Sequence, residues 1–133
     1  KDLIKKFSVK TSSEKQPINS LSGGNIQKVV VAREWKTAPK CMIAEQPTRG
    51  IDIGSADYIH QQLIDMRNNG AAILLISADL NEVMSVSDSL LVMYEGKIVA
   101  YFKDLHNVTE NELGFYMLGT KIQSEEEIME ACK

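Results

Sequence analysis

The residues most able to do chemistry lie in one stretch, Leu21-Ser22-Gly23-Gly24-Asn25-Ile26-Gln27-Lys28. A serine and two glycines stand directly before a segment of helical periodicity. Ile26, Val29, Val30 and Arg33 share its spacing, and nothing between Asn25 and Trp35 breaks it. A helix start leaves backbone N–H groups unpaired, and the aligned peptide dipoles add partial positive charge there. Glycines let that backbone approach an anion with no Cβ in the way. The predicted chemistry is a cradle for phosphate. A Ser-Gly-Gly turn taken alone is also an ordinary helix entry, so its surroundings must decide.

The surroundings hold a second constellation, Met42-Ile43-Ala44-Glu45-Gln46-Pro47-Thr48-Arg49-Gly50-Ile51-Asp52. Cys41 to Ala44 is a short apolar run bounded by turn formers, which predicts a buried strand with Cys41 as a small core residue. Glu45 at its end can bind a hard divalent cation through oxygen. Gln46 beside it is a neutral amide and cannot accept a proton at pH 7.

The elements that position these residues follow from the pattern on either side. Residues 1–20 are mixed and polar, with apolar beats at Leu3, Ile4, Phe7 and Val9, and Thr11-Ser12-Ser13 and Pro17 mark a loop. The helix after Gly24 should stop near Thr37-Ala38-Pro39, because proline disfavours helix in the residue before it. Residues 47–54 read as a loop. Ala56, Ile59, Leu63 and Met66 make one helical stripe, with Ser55 as cap and Gly70 as exit. Ala71 to Ile76 is a second strand-like run, so strand, helix and strand form a βαβ unit with parallel strands.

Leu80, Val83 and Met84 suggest a short helix. Leu90 to Tyr94 and Ile98 to Phe102 read as a hairpin turning at Glu95-Gly96. Thr109-Glu110-Asn111-Glu112 is a capping box ahead of Leu113, Tyr116 and Met117, and Ser124 to Glu127 repeats it weakly before a charged tail expected to fray.

Leu-Ser-Gly-Gly-x-x-Gln-Lys resembles the signature motif of ABC-transporter ATPases, and residues 42–52 resemble their Walker B segment and D-loop. The resemblance covers about residues 7–119 and implies an α/β fold. That fold is a partial P-loop NTPase domain, a parallel βαβ sheet with flanking helices and a C-terminal hairpin. The Walker A part is missing, since no Gly-x-x-x-x-Gly-Lys-Ser/Thr occurs. The chain therefore reads as a piece of a longer polypeptide, cut upstream of the signature. Within it, 1–38 would be the signature and helical part, 39–119 the core from Walker B onward, and 120–133 an acidic tail.

In that family two nucleotide-binding domains sandwich two ATP molecules, each site taking its signature from the opposite domain. The resemblance implies that Ser22, Gly23, Gly24 and Gln27 serve ATP in trans, that Asp52 is the D-loop aspartate, and that Glu45 holds Mg²⁺. The family's Asp-Glu-Pro-Thr stands here as Glu45-Gln46-Pro47-Thr48, so Gln46 occupies the catalytic glutamate position. Ala78, in Ser77-Ala78-Asp79, occupies that of the switch histidine. Losing a general base typically costs ~10²–10⁴-fold in rate. His60 and His106 replace neither and read as surface or packing residues.

An intact signature beside a degenerate site resembles the second cassette of tandem ATPases serving bacterial simple-sugar and nucleoside importers. Gln46-Pro47-Thr48-Arg49-Gly50-Ile51-Asp52-Ile53-Gly54, Tyr94-Glu95-Gly96-Lys97-Ile98-Val99 and Glu112-Leu113-Gly114-Phe115-Tyr116-Met117-Leu118-Gly119 carry that closer likeness. It implies ATP and Mg²⁺ as cofactors and a paired nucleotide-binding domain and permease subunits as partners. A substrate-binding lipoprotein would take part indirectly, and the location would be the cytoplasmic face of the bacterial membrane.

Composition sets wider bounds. At 133 residues the chain has one-domain length, and 44% hydrophobic with 25% charged residues is ordinary for a globular domain. A net charge of −3 gives no electrostatic footprint for nucleic acid. Cys41 and Cys132 lack metal-ligand spacing. DNA-maintenance ATPases also carry a Ser-Gly-Gly signature, but the heptads and Asp-Glu pair expected of them are not visible. A non-catalytic interaction module is the remaining alternative.

Overall fold

The computed structural model describes residues 1–131; Cys132 lies outside them. Two compact units divide the chain, Lys1–Ala78 and Asp79–Lys133.

The first unit is built around Phe7. A short helix, α1 (Asp2–Lys6), delivers that ring into full burial, where it meets Trp35 and Tyr58 edge-on at centroid distances of 5.9 and 6.1 Å. Edge-to-face rings set the positive rim of one against the negative face of another. Helix α2 (Gly23–Lys36) closes over this cluster and ends one residue before Thr37, close to the proline-imposed stop.

Its buried face is rotated from the expected one: Ala32 is buried, Val29, Val31 and Trp35 pack on the cluster, and Val30 is exposed. The amino-terminal segment supplies the apolar surface that chooses that face. Periodicity within α2 alone does not contain this information.

Strand β1 (Cys41–Glu45), helix α3 (Ile53–Asn68) and strand β2 (Ala72–Ile76) form the expected βαβ unit. β1 and β2 are parallel and in register from Cys41 opposite Ala72 to Glu45 opposite Ile76. Ile59, Leu63 and Met66 of the predicted stripe are buried. Gly70 leaves the helix at φ +93°, a backbone region glycine enters without Cβ strain.

Two expectations are corrected here. α3 starts at Ile53 and is capped by Asp52; Ser55 is its third residue and donates to that cap. The strands are not buried: their residues alternate between exposed and half-buried, and Cys41 is exposed. A two-stranded sheet has no neighbours to cover its apolar side chains, so Ile43, Leu74 and Ile76 face solvent.

The second unit opens with α4 (Leu80–Val86), capped by Asp79. β3 (Leu90–Tyr94) and β4 (Lys97–Phe102) form an antiparallel hairpin whose turn residues Glu95 and Gly96 both have positive φ. That sign matches the primed turns suited to strand twist. Val92, Val99, Ala100, Leu113 and Tyr116 make its core.

α5 (Glu110–Met117) begins at the predicted capping box, where the Thr109 hydroxyl accepts from the Glu112 amide. Among the described residues of the tail expected to fray, a helix forms, α6 (Glu125–Ala131), and Ser124 and Glu127 cap each other. Gln123 ties it to β4, donating its amide to the Val99 carbonyl and accepting from the Tyr101 amide.

Candidate functional site

Ser22 is the N-cap of α2, in extended conformation at φ −66° and ψ 156°, and its carbonyl accepts the first helical bond from the Ile26 amide at 2.9 Å. Its side chain makes no capping bond to the helix backbone. Instead Oγ accepts from Asn25 Nδ2 at 2.8 Å, while Asn25 Oδ1 accepts from the Lys10 amide at 2.7 Å.

The two glycines occupy different surroundings. Gly23 is exposed, and a methyl group built on it would meet nothing nearer than the Gly50 carbonyl at 3.8 Å. Gly24 is buried, and the same methyl group would lie 2.5 Å from Ser55 Oγ and 3.0 Å from Asp52 Oδ2. Gly23 therefore leaves room for an incoming group, whereas Gly24 is small because α2 rests on the start of α3. Gln27 is half-buried one turn further along.

Asp52 joins the two helix starts. Its Oδ1 accepts from the Ser55 amide at 2.9 Å and its Oδ2 from the Ser55 hydroxyl at 2.8 Å. The hydroxyl bond first, and the amide bond next, hold its carboxyl below the ordinary carboxylate range, with a smaller contribution from the Lys28 ammonium. Lys28 in turn lies 5.1 Å from the Tyr58 ring centre.

Glu45 and Gln46 stand at the carboxyl end of β1 and Ala78 just beyond β2, so parallel pairing brings all three to the same end of the sheet. The Gln46 amide continues the ladder to the Ile76 carbonyl at 2.8 Å. Gln46 itself is left-handed, at φ 45°, and its carbonyl accepts from the Arg49 amide to turn the chain. Glu45 and Ala78 are exposed and Gln46 is half-buried.

Comparison with known proteins bears on the chain as a whole. No family model matches the chain. It is 42% identical over 120 residues to the guanosine import ATP-binding protein NupO of Bacillus subtilis, covering 90% of the chain and 23% of that protein. To the nucleoside import ATP-binding protein NupA of Lactococcus lactis it is 41% identical over 122 residues, 92% of the chain and 24% of the relative. The ribose import ATP-binding protein RbsA of Lactococcus lactis is 41% identical over 111 residues, with 84% and 23% covered.

Among solved structures, the ABC-transporter ATP-binding cassette MJ1267 in its ADP conformation superposes at a TM-score of 0.65. It shares 22% identity over 98% of the chain and 47% of its own. An inward-facing putative metal-chelate type ABC transporter superposes at 0.72 with 20% identity, covering 95% and 52%. By sequence and by fold, the chain belongs to the ABC-type ATP-binding cassettes. It spans about a quarter of the length of the curated relatives it matches.

Within one unit the turn before α2 meets the loop before α3, through Gly23 near Gly50 and Gly24 on Asp52 and Ser55. Motif reading singles out Asp52 without its partner Ser55, and gives Lys28 no role of its own. Asn25 also escapes it as a free position inside the signature, although a short amide three residues after a serine is a recognisable local hydrogen-bonding pattern. His60 is half-buried on α3, and His106 is exposed and bonded to Asp104.

Proposed function

We propose that the cassette is part of an ATP-binding subunit that energises import of nucleosides or simple sugars, and that it acts chiefly in trans. Ser22 offers a hydroxyl and Gly23 an unobstructed amide to the γ-phosphate of an ATP held by a paired domain. The observation that carries the reading is the start of α2: an exposed serine beside an exposed glycine, with no atom closer than 3.8 Å to where a Cβ would stand. Donors fixed in advance at a developing charge need no reorganisation when phosphoryl transfer occurs.

The site at the carboxyl edge of β1 is proposed to hydrolyse poorly. Gln46 cannot take a proton from water, and Ala78 has no imidazole to present. Glu45 supplies a carboxylate there, and among the described residues no group of three His, Cys, Asp or Glu side chains forms a cage. That donor set fits Mg²⁺, which is commonly held by one or two carboxylates plus substrate phosphates. Bound beside Glu45, Mg²⁺ would offset phosphate charge.

The partners proposed are a second nucleotide-binding domain and permease subunits, with a substrate-binding lipoprotein acting through the latter at the cytoplasmic face of a membrane. No helix of the described residues is long and apolar enough to cross one.

Replacing Ser22 by phenylalanine in the full-length protein tests the reading. ATPase activity of the assembled transporter should be abolished while the protein still assembles. Wild-type turnover in Ser22→Phe would leave the chain as an interaction module.

A further inference from the structure

The hydrogen bonds behind Ser22 assign a direction to its hydroxyl. The Lys10 backbone N–H can only donate, so the atom of Asn25 facing it at 2.7 Å must be the amide oxygen. The other end of the same amide, 2.8 Å from Ser22 Oγ, is then the NH₂ group, which also can only donate. Ser22 Oγ is therefore an acceptor in that bond, and its own hydrogen is left to point elsewhere. An N-cap serine ordinarily accepts from the backbone of its own helix, but Ser22 makes no such bond. Its hydroxyl is committed to Asn25 on one side and available on the other.

We propose that Asn25 is a positioning residue of the signature. Anchored on the Lys10 amide, it holds the Ser22 oxygen so that the hydroxyl proton is presented outward to a phosphate oxygen. The proposal rests on the in-trans reading of Ser22 given above and adds the device that orients it. It also gives a role to the segment after Phe7: the main chain at Lys10 sets which way the amide faces, fifteen residues away from it in sequence.

The competing explanation is that Asn25 merely ties the 7–11 segment to α2. Aspartate separates the two. A carboxylate at position 25 accepts from Lys10 as well as the amide oxygen does, but it has nothing to donate to Ser22. It would accept the Ser22 proton and turn it inward.

The test uses the full-length protein in its assembled transporter, with Ser22→Ala, Asn25→Asp, Asn25→Ala and the doubles Ser22→Ala/Asn25→Asp and Ser22→Ala/Asn25→Ala. Steady-state ATPase kcat and thermal melting are measured for each. Ser22→Ala and Asn25→Ala are each expected to lower kcat by roughly 10-fold, the scale of one hydrogen bond to a charged group. Asn25→Asp should fall at least as far as Asn25→Ala while melting like wild type. In the Ser22→Ala background either Asn25 change should cost less than about 2-fold more.

Full activity in Asn25→Asp, or equal losses from the Asn25 changes with and without Ser22, would overturn the positioning role and leave the signature reading standing. Wild-type turnover in Ser22→Ala would overturn both.

Discussion

At the scale of single residues, the start of α2 sets two neighbours of identical chemistry in different surroundings. Gly23 and Gly24 are indistinguishable in the sequence, yet a methyl group on one would make only an ordinary contact, with the Gly50 carbonyl at 3.8 Å, while the other is pressed against Ser55 and Asp52. Gly23→Ala should therefore leave stability within about 0.5 kcal/mol of wild type, as for an exposed position with room. Gly24→Ala puts a methyl group 2.5 Å from Ser55 Oγ and should cost about 1–3 kcal/mol, the usual range for overpacking. Urea unfolding of the two variants checks the contrast, and equal costs would contradict the packing of α2 on α3. The helix start after Ser22 was legible from its glycines and the periodicity that follows. What each glycine touches was not, since Ser55 reaches Gly24 only once both helices are placed.

At the scale of elements, α1, α2 and α3 are held to one another mainly by a ring cluster. Phe7 is fully buried against Trp35 and Tyr58, and the Tyr58 hydroxyl donates to the Lys6 carbonyl at 2.7 Å. Deleting the buried ring should cost far more than deleting the polar bond. Phe7→Ala is expected to lose about 3–5 kcal/mol, and Tyr58→Phe about 0.5–1.5 kcal/mol. Far-UV circular dichroism in urea measures both, and a Tyr58→Phe loss as large as that of Phe7→Ala would mean the join is polar rather than packed.

Strands, hairpin and the long helices were legible from periodicity and turn residues. Helix α1 was not, because five residues carry too little pattern, and its buried neighbour Phe7 reads locally as one apolar residue among lysines. The cap of α3 was misread for a related reason. Asp52 and Ser55 are both good N-caps, and only the backbone shows that the earlier one takes the position.

At the scale of the whole molecule, the chain carries a two-stranded parallel sheet in one unit and a two-stranded antiparallel hairpin in the other. Parallel strands usually sit covered on both faces; here Ile43 is 67% exposed and the sheet has unpaired edges. The 133-residue chain is expected to self-associate through that sheet, its light-scattering mass rising with concentration and Ile43→Lys reducing the rise. A constant monomer mass for the unaltered chain would contradict this. The fold class was legible at this scale, while the exposure of the strands was not. An apolar run reads as buried whether or not the neighbours that would bury it are present.

One further property follows from where the aromatic residues fall. The single indole of the chain, Trp35, stands in the Lys1–Ala78 half with the Lys6 ammonium 4.4 Å from its ring centre. Its emission is thus a spectroscopic label carried by that half, so any gap between an emission curve and a backbone curve measures how independently the two halves melt.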